Sequence, residues 1–268
     1  LAGAVGYAFS QRAVFLMVPV FAALTCAAVL AIPAKAINHD RARDLATDGK
    51  AQGAAKGYRV LFERRPLMIF AFCAFLFHFA NAPLLPLVGQ KLALQFPQEA
   101  TAMMSFCMVA AQGVMLPIAI LVGRNTDSWG RRPLFLVAFA VLPIRAALYT
   151  LSGNAFWLIG VQLLDGIGAG IYQALTPLII SDIMRGTGRF NLAQGAVATT
   201  MGIGASVSGL AAGLAVDHFG YSVSFLAFSA AAAVAFLVFF GFMPETRDEE
   251  AIKQAPQPLA IEGAAAGE

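Results

Sequence analysis

The chain has 268 residues, of which 59% are hydrophobic and only 12% charged, and its formal net charge is +3. An ordinary soluble domain carries about 25% charge, so a soluble globular fold is excluded. So is a nucleic-acid partner, because so small and dispersed a positive charge makes no basic surface.

The opening "LAGAVGYAFS" has neither Met nor a basic n-region, so it is not a signal peptide. It reads as the interior of a longer chain, residues 1 to about 9 being the tail of a span. Apolar blocks of the length that crosses a bilayer, about 20 helical residues, follow at Ala13 to Pro33, Pro66 to Val88, Thr101 to Val122, Leu134 to Leu151, Ala155 to Ile180, Asn191 to Val216 and Ser222 to Met243. Period-2 alternation is absent and Gly and Pro punctuate the blocks, which argues against a transmembrane barrel. The expected fold class is an all-α, polytopic membrane protein with about seven transmembrane helices in this fragment.

Fifteen of the 18 Lys and Arg fall in one alternate set of connections: Lys35 to Arg65, Arg124 to Arg132, Arg185 with Arg189, and Arg247 with Lys253. Positive charge stays on the cytoplasmic side, so the basic linker and the tail are expected in the cytoplasm, with Trp157, Tyr149 and Tyr221 in an aromatic belt at the outer ends. The stretch from Lys35 to Arg65 is a polar linker with a short surface helix near Tyr58 to Phe62. The tail from Gln254 has too few bulky apolar residues to pack. Cys26, Cys73 and Cys107 lie in spans with no metal spacing, and no metal or cofactor is expected.

One echo runs through the chain. Gly123, Asp127 and Gly130 recur 90 positions later as Gly213, Asp217 and Gly220, and Gly3, Phe9 and Phe15 recur 210 later as Gly213, Phe219 and Phe225. Internal repeats of this kind mark secondary transporters.

The loop "GRNTDSWGRR", read as GxxxDxxGRR after a basic central linker, resembles the cytoplasmic loop motif of the major facilitator superfamily. "MPETRDEEA" after the last span resembles its Pro-Glu-Thr ending, and "QLLDGIGAGI" is similar to its Arg-plus-glycine helix motif, with Gln162 in the arginine's place. The resemblance covers essentially the whole chain. It implies a major-facilitator helical bundle: residues 1-34 the end of the N-terminal bundle (part of helix five, and helix six), 35-65 a cytoplasmic linker, 66-244 the C-terminal six-helix bundle and 245-268 a cytoplasmic tail. It further implies that the loop of Gly123, Asp127, Gly130, Arg131 and Arg132 latches the inner gate, the main partner of Asp127 lying in the missing N-terminal half.

The residues support such a loop independently. Gly123 removes a side chain where helices approach, Gly130 permits a tight turn, and Asp127 is placed to accept free N–H groups of the next helix, with Arg131 and Arg132 anchored at the anionic inner leaflet.

Polar groups inside spans are costly and face a cavity or a partner. Arg145 and Asp165 lie at depths about 6 Å apart on spans joined by a short outer turn, which predicts direct contact as a structural ion pair; side chains that diverge, with Asp165 open to the central cavity, would instead make Asp165 the site of proton coupling. His78 and Asn81 share a helix face before Pro83 and Pro86, where a disrupted helix near the midplane is expected to hold substrate. With Gln112, Gln162, Gln173, Asn191 and Gln194 they make the expected substrate lining. Gly166, Gly168 and Gly170, and Gly209 with Gly213, are expected at close helix crossings; "GIGAG" follows no strand and is not a nucleotide loop. The expected function is secondary active transport of a small organic solute by alternating access, as proton-coupled efflux from a bacterial inner membrane. Uptake of a sugar-like or polar metabolite by symport and a non-transporting membrane receptor are the alternatives; catalysis is not expected.

Overall fold

The computed structural model describes residues 11–33 and 59–247, with side chains from residue 15 onward. The remainder of the linker and tail, and residues 1–10 with Gly3 and Phe9 of the inferred echo, lie outside the described residues.

The described chain is helical: α1 (Gln11–Leu30), α2 (Arg59–Glu63), α3 (Arg65–Asn81), α4 (Leu84–Gln95), α5 (Ala100–Trp129), α6 (Arg131–Leu148), α7 (Ala155–Met184) and α8 (Phe190–Phe242). Four segments are long and apolar enough to cross a bilayer: Arg65–Gln95, Ala100–Trp129, Ala155–Met184 and Phe190–Phe242. At ~1.5 Å per residue α8 is about 80 Å long, against a hydrocarbon core of ~30 Å. It therefore holds two spans, and they meet at Gly220 (φ 78, ψ 174). Gly130, between α5 and α6, has nearly the same backbone (φ 88, ψ 157), a conformation open essentially to glycine alone. The two copies of GxxxDxxG thus both end on a reversal of the chain.

α3 and α4 form one span interrupted at Ala82 and Pro83. Pro83 and Pro86 supply no N–H to the helix ladder, so hydrogen bonds are missing there, although Ala82 and Pro83 keep helical dihedrals (φ -58, ψ -37 and φ -81, ψ -16). α1 exposes its apolar residues all round, Phe15, Leu16, Leu24 and Leu30 among them.

The largest pairings are α3 with α8 and α5 with α7, and α6 packs on both α7 and α8. The α5–α7 crossing is close because a Cβ on Gly166 would lie 2.3 Å from the Ala111 carbonyl oxygen, and one on Gly170 would lie 2.8 Å from that of Met115. Gly204 does the same for α8 against Phe75 on α3, at 2.4 Å. Gly168 faces α6 at ordinary contact distance, whereas Gly209, Gly213 and Gly123 meet nothing within 4 Å. The expectation that these last three relieve a helix contact is therefore not met among the described residues. The centre is aromatic: Phe77 stacks on Tyr172 at 4.5 Å, Phe139 on Phe239 at 4.8 Å, and Phe70 meets Phe135 edge-on at 5.5 Å.

Candidate functional site

Two polar clusters stand out, one within the helix bundle among α3, α6 and α7 and one at the end where α5 meets α6. In the first, Arg145 on α6 reaches α7 and α3 together. Its Nη1 donates to Asp165 Oδ1 and its Nη2 to Asn81 Oδ1 at 2.6 Å. Gln162 Nε2 donates to the other oxygen of Asp165 at 3.1 Å, and Gln162 Oε1 accepts from the Tyr149 hydroxyl. Arg145 is 2% exposed, whereas the Asp165 side chain keeps 26% of its surface. So the chain runs Asn81, Arg145, Asp165, Gln162, Tyr149 across three helices, with its cation fully enclosed and its acid at the open edge. A buried charge is tolerable when paired and hydrogen-bonded in this way. A small cavity touches Asn81, Arg145 and Asp165 and is otherwise walled by apolar or small residues such as Phe77, Leu142 and Leu164.

The contact predicted from matching depths is present. Asn81 is half-buried and gives its Oδ1 to Arg145, while Gln162, only 1% exposed, uses both ends of its amide inside the bundle and presents no free polar group to an open groove. Tyr149, expected in the outer aromatic belt, is fully buried against Phe225 because its hydroxyl has a partner in Gln162. Trp157 and Tyr221 keep partial exposure, with Trp157 Nε1 bonded to the Leu148 carbonyl.

Asp165, Ala169 and Gln173 follow at i, i+4 and i+8, a partly open stripe beside the Gly166–Gly170 seam. Gln173 lies at that seam and donates to Met115 Sδ on α5 at 3.6 Å. Gln112, Asn191 and Gln194 are exposed on α5 and the first turns of α8. His78 is half-buried edge-on to Tyr172, its Nε2 buried without a partner among the described residues.

The second cluster surrounds Gly130. Asp127 is on the last turn of α5, not at the start of α6. Its carboxylate pairs with Arg131 Nη1 at 2.7 Å instead of capping backbone N–H groups. The cap on α6 comes from Glu245, whose two oxygens accept the N–H groups of Arg131 and Arg132 at 3.0 and 3.1 Å. The carboxylate suits the positive end of the helix dipole. Arg247 Nη1 in turn donates to the carbonyls of Asp127 and Ser128 at 2.9 and 3.1 Å, satisfying the free end of α5. Arg131 is buried, with Nε on Asp182 Oδ2 at 3.1 Å. It is thus not a leaflet anchor, because Asp127 and Asp182 enclose it. Arg132 lies over the Phe240 ring at 5.8 Å and donates to the Phe240 carbonyl.

Sequence reading missed Tyr149, Asp182, Glu245 and Arg247 as partners. Tyr149 stands four residues after Arg145 and so shares its face, a usable signal. Glu245 and Arg247 lay in the Pro-Glu-Thr stretch already singled out, but their contact with a loop more than 110 residues earlier has no local signature.

The sequence model described as Major Facilitator Superfamily matches residues 1–142 and 114–263. An uncharacterized MFS-type transporter of Mycobacterium tuberculosis is 49% identical over 249 residues, covering 92% of this chain and 60% of that protein. A multi-drug resistance efflux pump homolog of Lactococcus lactis is 30% identical over 165 residues, 61% of this chain and 40% of that protein. A sugar efflux transporter of Dickeya chrysanthemi is 28% identical over 168 residues, with the same two coverages of 61% and 40%. The chain therefore spans about three fifths of the length of the mycobacterial relative.

Proposed function

Because this chain belongs to the Major Facilitator Superfamily, we propose that it forms the C-terminal half of a secondary active carrier for a small organic solute, exported in exchange for protons by alternating access. In this reading residues 66-244 are one six-span bundle, residues 1-34 end the other bundle, and the linker 35-65 and tail 245-268 face the cytoplasm of a bacterial cell. The observation that carries it is the half-enclosed Asp165. A carboxylate paired to a buried guanidinium but still open on one edge can take a proton without dismantling the bundle, and intramembrane acids of this kind mark proton paths. The efflux names of the Lactococcus and Dickeya relatives support the direction of transport.

Asn81, His78, Gln112, Gln173, Asn191 and Gln194 would line the cargo path, with Gln162 supporting Asp165 from inside. Phe and Met around them suit an amphiphilic cargo. A polar, sugar-like cargo is the second reading, favoured by the exposed amides of Gln112, Asn191 and Gln194 and by the relative named as a sugar efflux transporter.

The loop around Gly130 would act as the inner latch. The test is flux of a compound panel through the full-length protein in liposomes under an imposed proton gradient. Gradient-driven flux that Asp165→Asn abolishes supports the proposal. No movement of any compound under any gradient would favour a receptor instead.

A further inference from the structure

We infer that Asn81 is a positioning residue, through which a proton taken up at Asp165 changes the setting of the outer half-helix α4; the inference rests on the coupling role proposed for Asp165. Three observations lead to it. Arg145 is the only link between Asp165 and α3 among the described hydrogen bonds, and it meets α3 at Asn81 Oδ1. Asn81 is the last residue of α3, two positions before Pro83, where the span is interrupted. Beyond that interruption α4 is seated by contacts of its own: Gly89 lies so close to Met104 that a Cβ there would be 2.5 Å from Sδ, and Gln90 accepts from the Tyr221 hydroxyl at 3.5 Å. Arg145 and Asn81 therefore tie Asp165 to the junction of α3 and α4, beyond which α4 packs on Met104 of α5 and Tyr221 of α8.

The step balances simply. A proton from water bonds to one Asp165 carboxylate oxygen, no other covalent bond forms or breaks, and Arg145 keeps its own proton. The small cavity that touches Asn81, Arg145 and Asp165 has room for about one water molecule beside the carboxylate. Before the step the two charges of the pair cancel; afterwards an enclosed guanidinium is left with neutral acceptors only. Charged and titratable groups nearby are few. α6 contributes Arg145 with Tyr149 just beyond its end, α5 contributes Cys107 near Tyr149, α7 contributes Tyr172, and α3 contributes Cys73 and His78, the latter one turn from Asn81 and turned toward Tyr172. None supplies a replacement anion. The guanidinium must therefore shift toward other acceptors, and the Asn81 bond that holds the α3–α4 junction shifts with it.

The experiment measures the position of α4 directly. Leu94 on α4 and Leu151 in the α6–α7 turn are 72% and 69% exposed, so both accept cysteine for spin labels in the full-length protein, with Cys26→Ser as background and the buried Cys73 and Cys107 left in place. Distances between the labels are recorded without cargo from about pH 8 down to the lowest pH at which the labelled parent stays folded. The labelled parent should change its distance distribution on acidification. Asp165→Asn should show the acid distribution throughout. Asn81→Leu, nearly the same shape without the acceptor, should stay at one distribution while the infrared carbonyl band of protonated Asp165 still appears at low pH. Asn81→Ala serves as the second variant if the leucine form does not insert. A full pH-dependent shift in either Asn81 variant overturns the inference, as does a parent that does not shift. A labelled parent that moves no compound while its distances still shift with pH would instead count against the transport reading alone.

Discussion

Glu245 lies across the amino end of α6, one oxygen on the N–H of Arg131 at 3.0 Å and the other on that of Arg132 at 3.1 Å. The residue that follows the last span thus completes a helix that began more than a hundred positions earlier. Side-chain caps are worth ~0.5 to 2 kcal/mol, and this one also faces a Gly130 whose added Cβ would lie 2.8 Å from Glu245 Oε2. Glu245→Ala should lower thermal stability by that order while leaving membrane insertion normal, and Gly130→Ala should cost more, through its positive φ. Melting temperatures of the purified variants decide it; a silent Glu245→Ala would show that water caps α6 equally well.

Asp127 holds Arg131 from the side while 65% of its own side chain stays exposed. If the loop is the inner latch, that open carboxylate edge is what the opposing half would use. Asp127→Asn should then reduce flux in the complete protein with insertion and abundance unchanged. Flux equal to the parent would leave the loop as a charged topological anchor.

Arg145 and Asp165 are expected to be strongly non-additive. Removing one partner of a buried pair strands the other charge and typically costs ~3 to 5 kcal/mol, whereas replacing both with apolar residues of similar volume is often tolerated. Arg145→Ala should therefore lose folded protein more severely than the double change Arg145→Leu with Asp165→Leu, as read by monodisperse yield and denaturation midpoint. A double variant worse than the single would mean that Asn81 and Gln162 depend on the charges for more than pairing.

The two glycine pairs should separate cleanly. Gly166→Ala and Gly170→Ala each drive a Cβ into α5 backbone and should destabilise the α5–α7 crossing by ~1 to 3 kcal/mol, the usual cost of overpacking. Gly209→Ala and Gly213→Ala meet nothing within 4 Å, and helix propensity favours alanine by up to ~1 kcal/mol. Their melting temperatures should be unchanged or raised. Equal losses at both pairs would show that the face carrying Gly209 and Gly213 is packed in the complete protein.

Sequence alone determined the helical, polytopic class, the starts of the spans to within a few residues, though the helices at Gln95 and Trp129 run seven residues past the expected ends, and the tight turn at Gly130. Those properties follow from apolar length and from backbone conformations that single residues permit. Matching depth along two antiparallel spans was enough to pair Arg145 with Asp165, because distance along a helix is set by a fixed rise per residue. Rotation about the helix axis and contacts between distant segments were decided only by the tertiary structure. Tyr149 turned inward to Gln162, Asn81 went to Arg145, and Glu245 with Arg247 took the two ends of the Gly130 turn. In an apolar chain the hydrophobic pattern runs nearly all round each helix, so it carries little information about which face meets which neighbour. That choice is made by close packing at small residues and by the need of each enclosed polar group to find a partner.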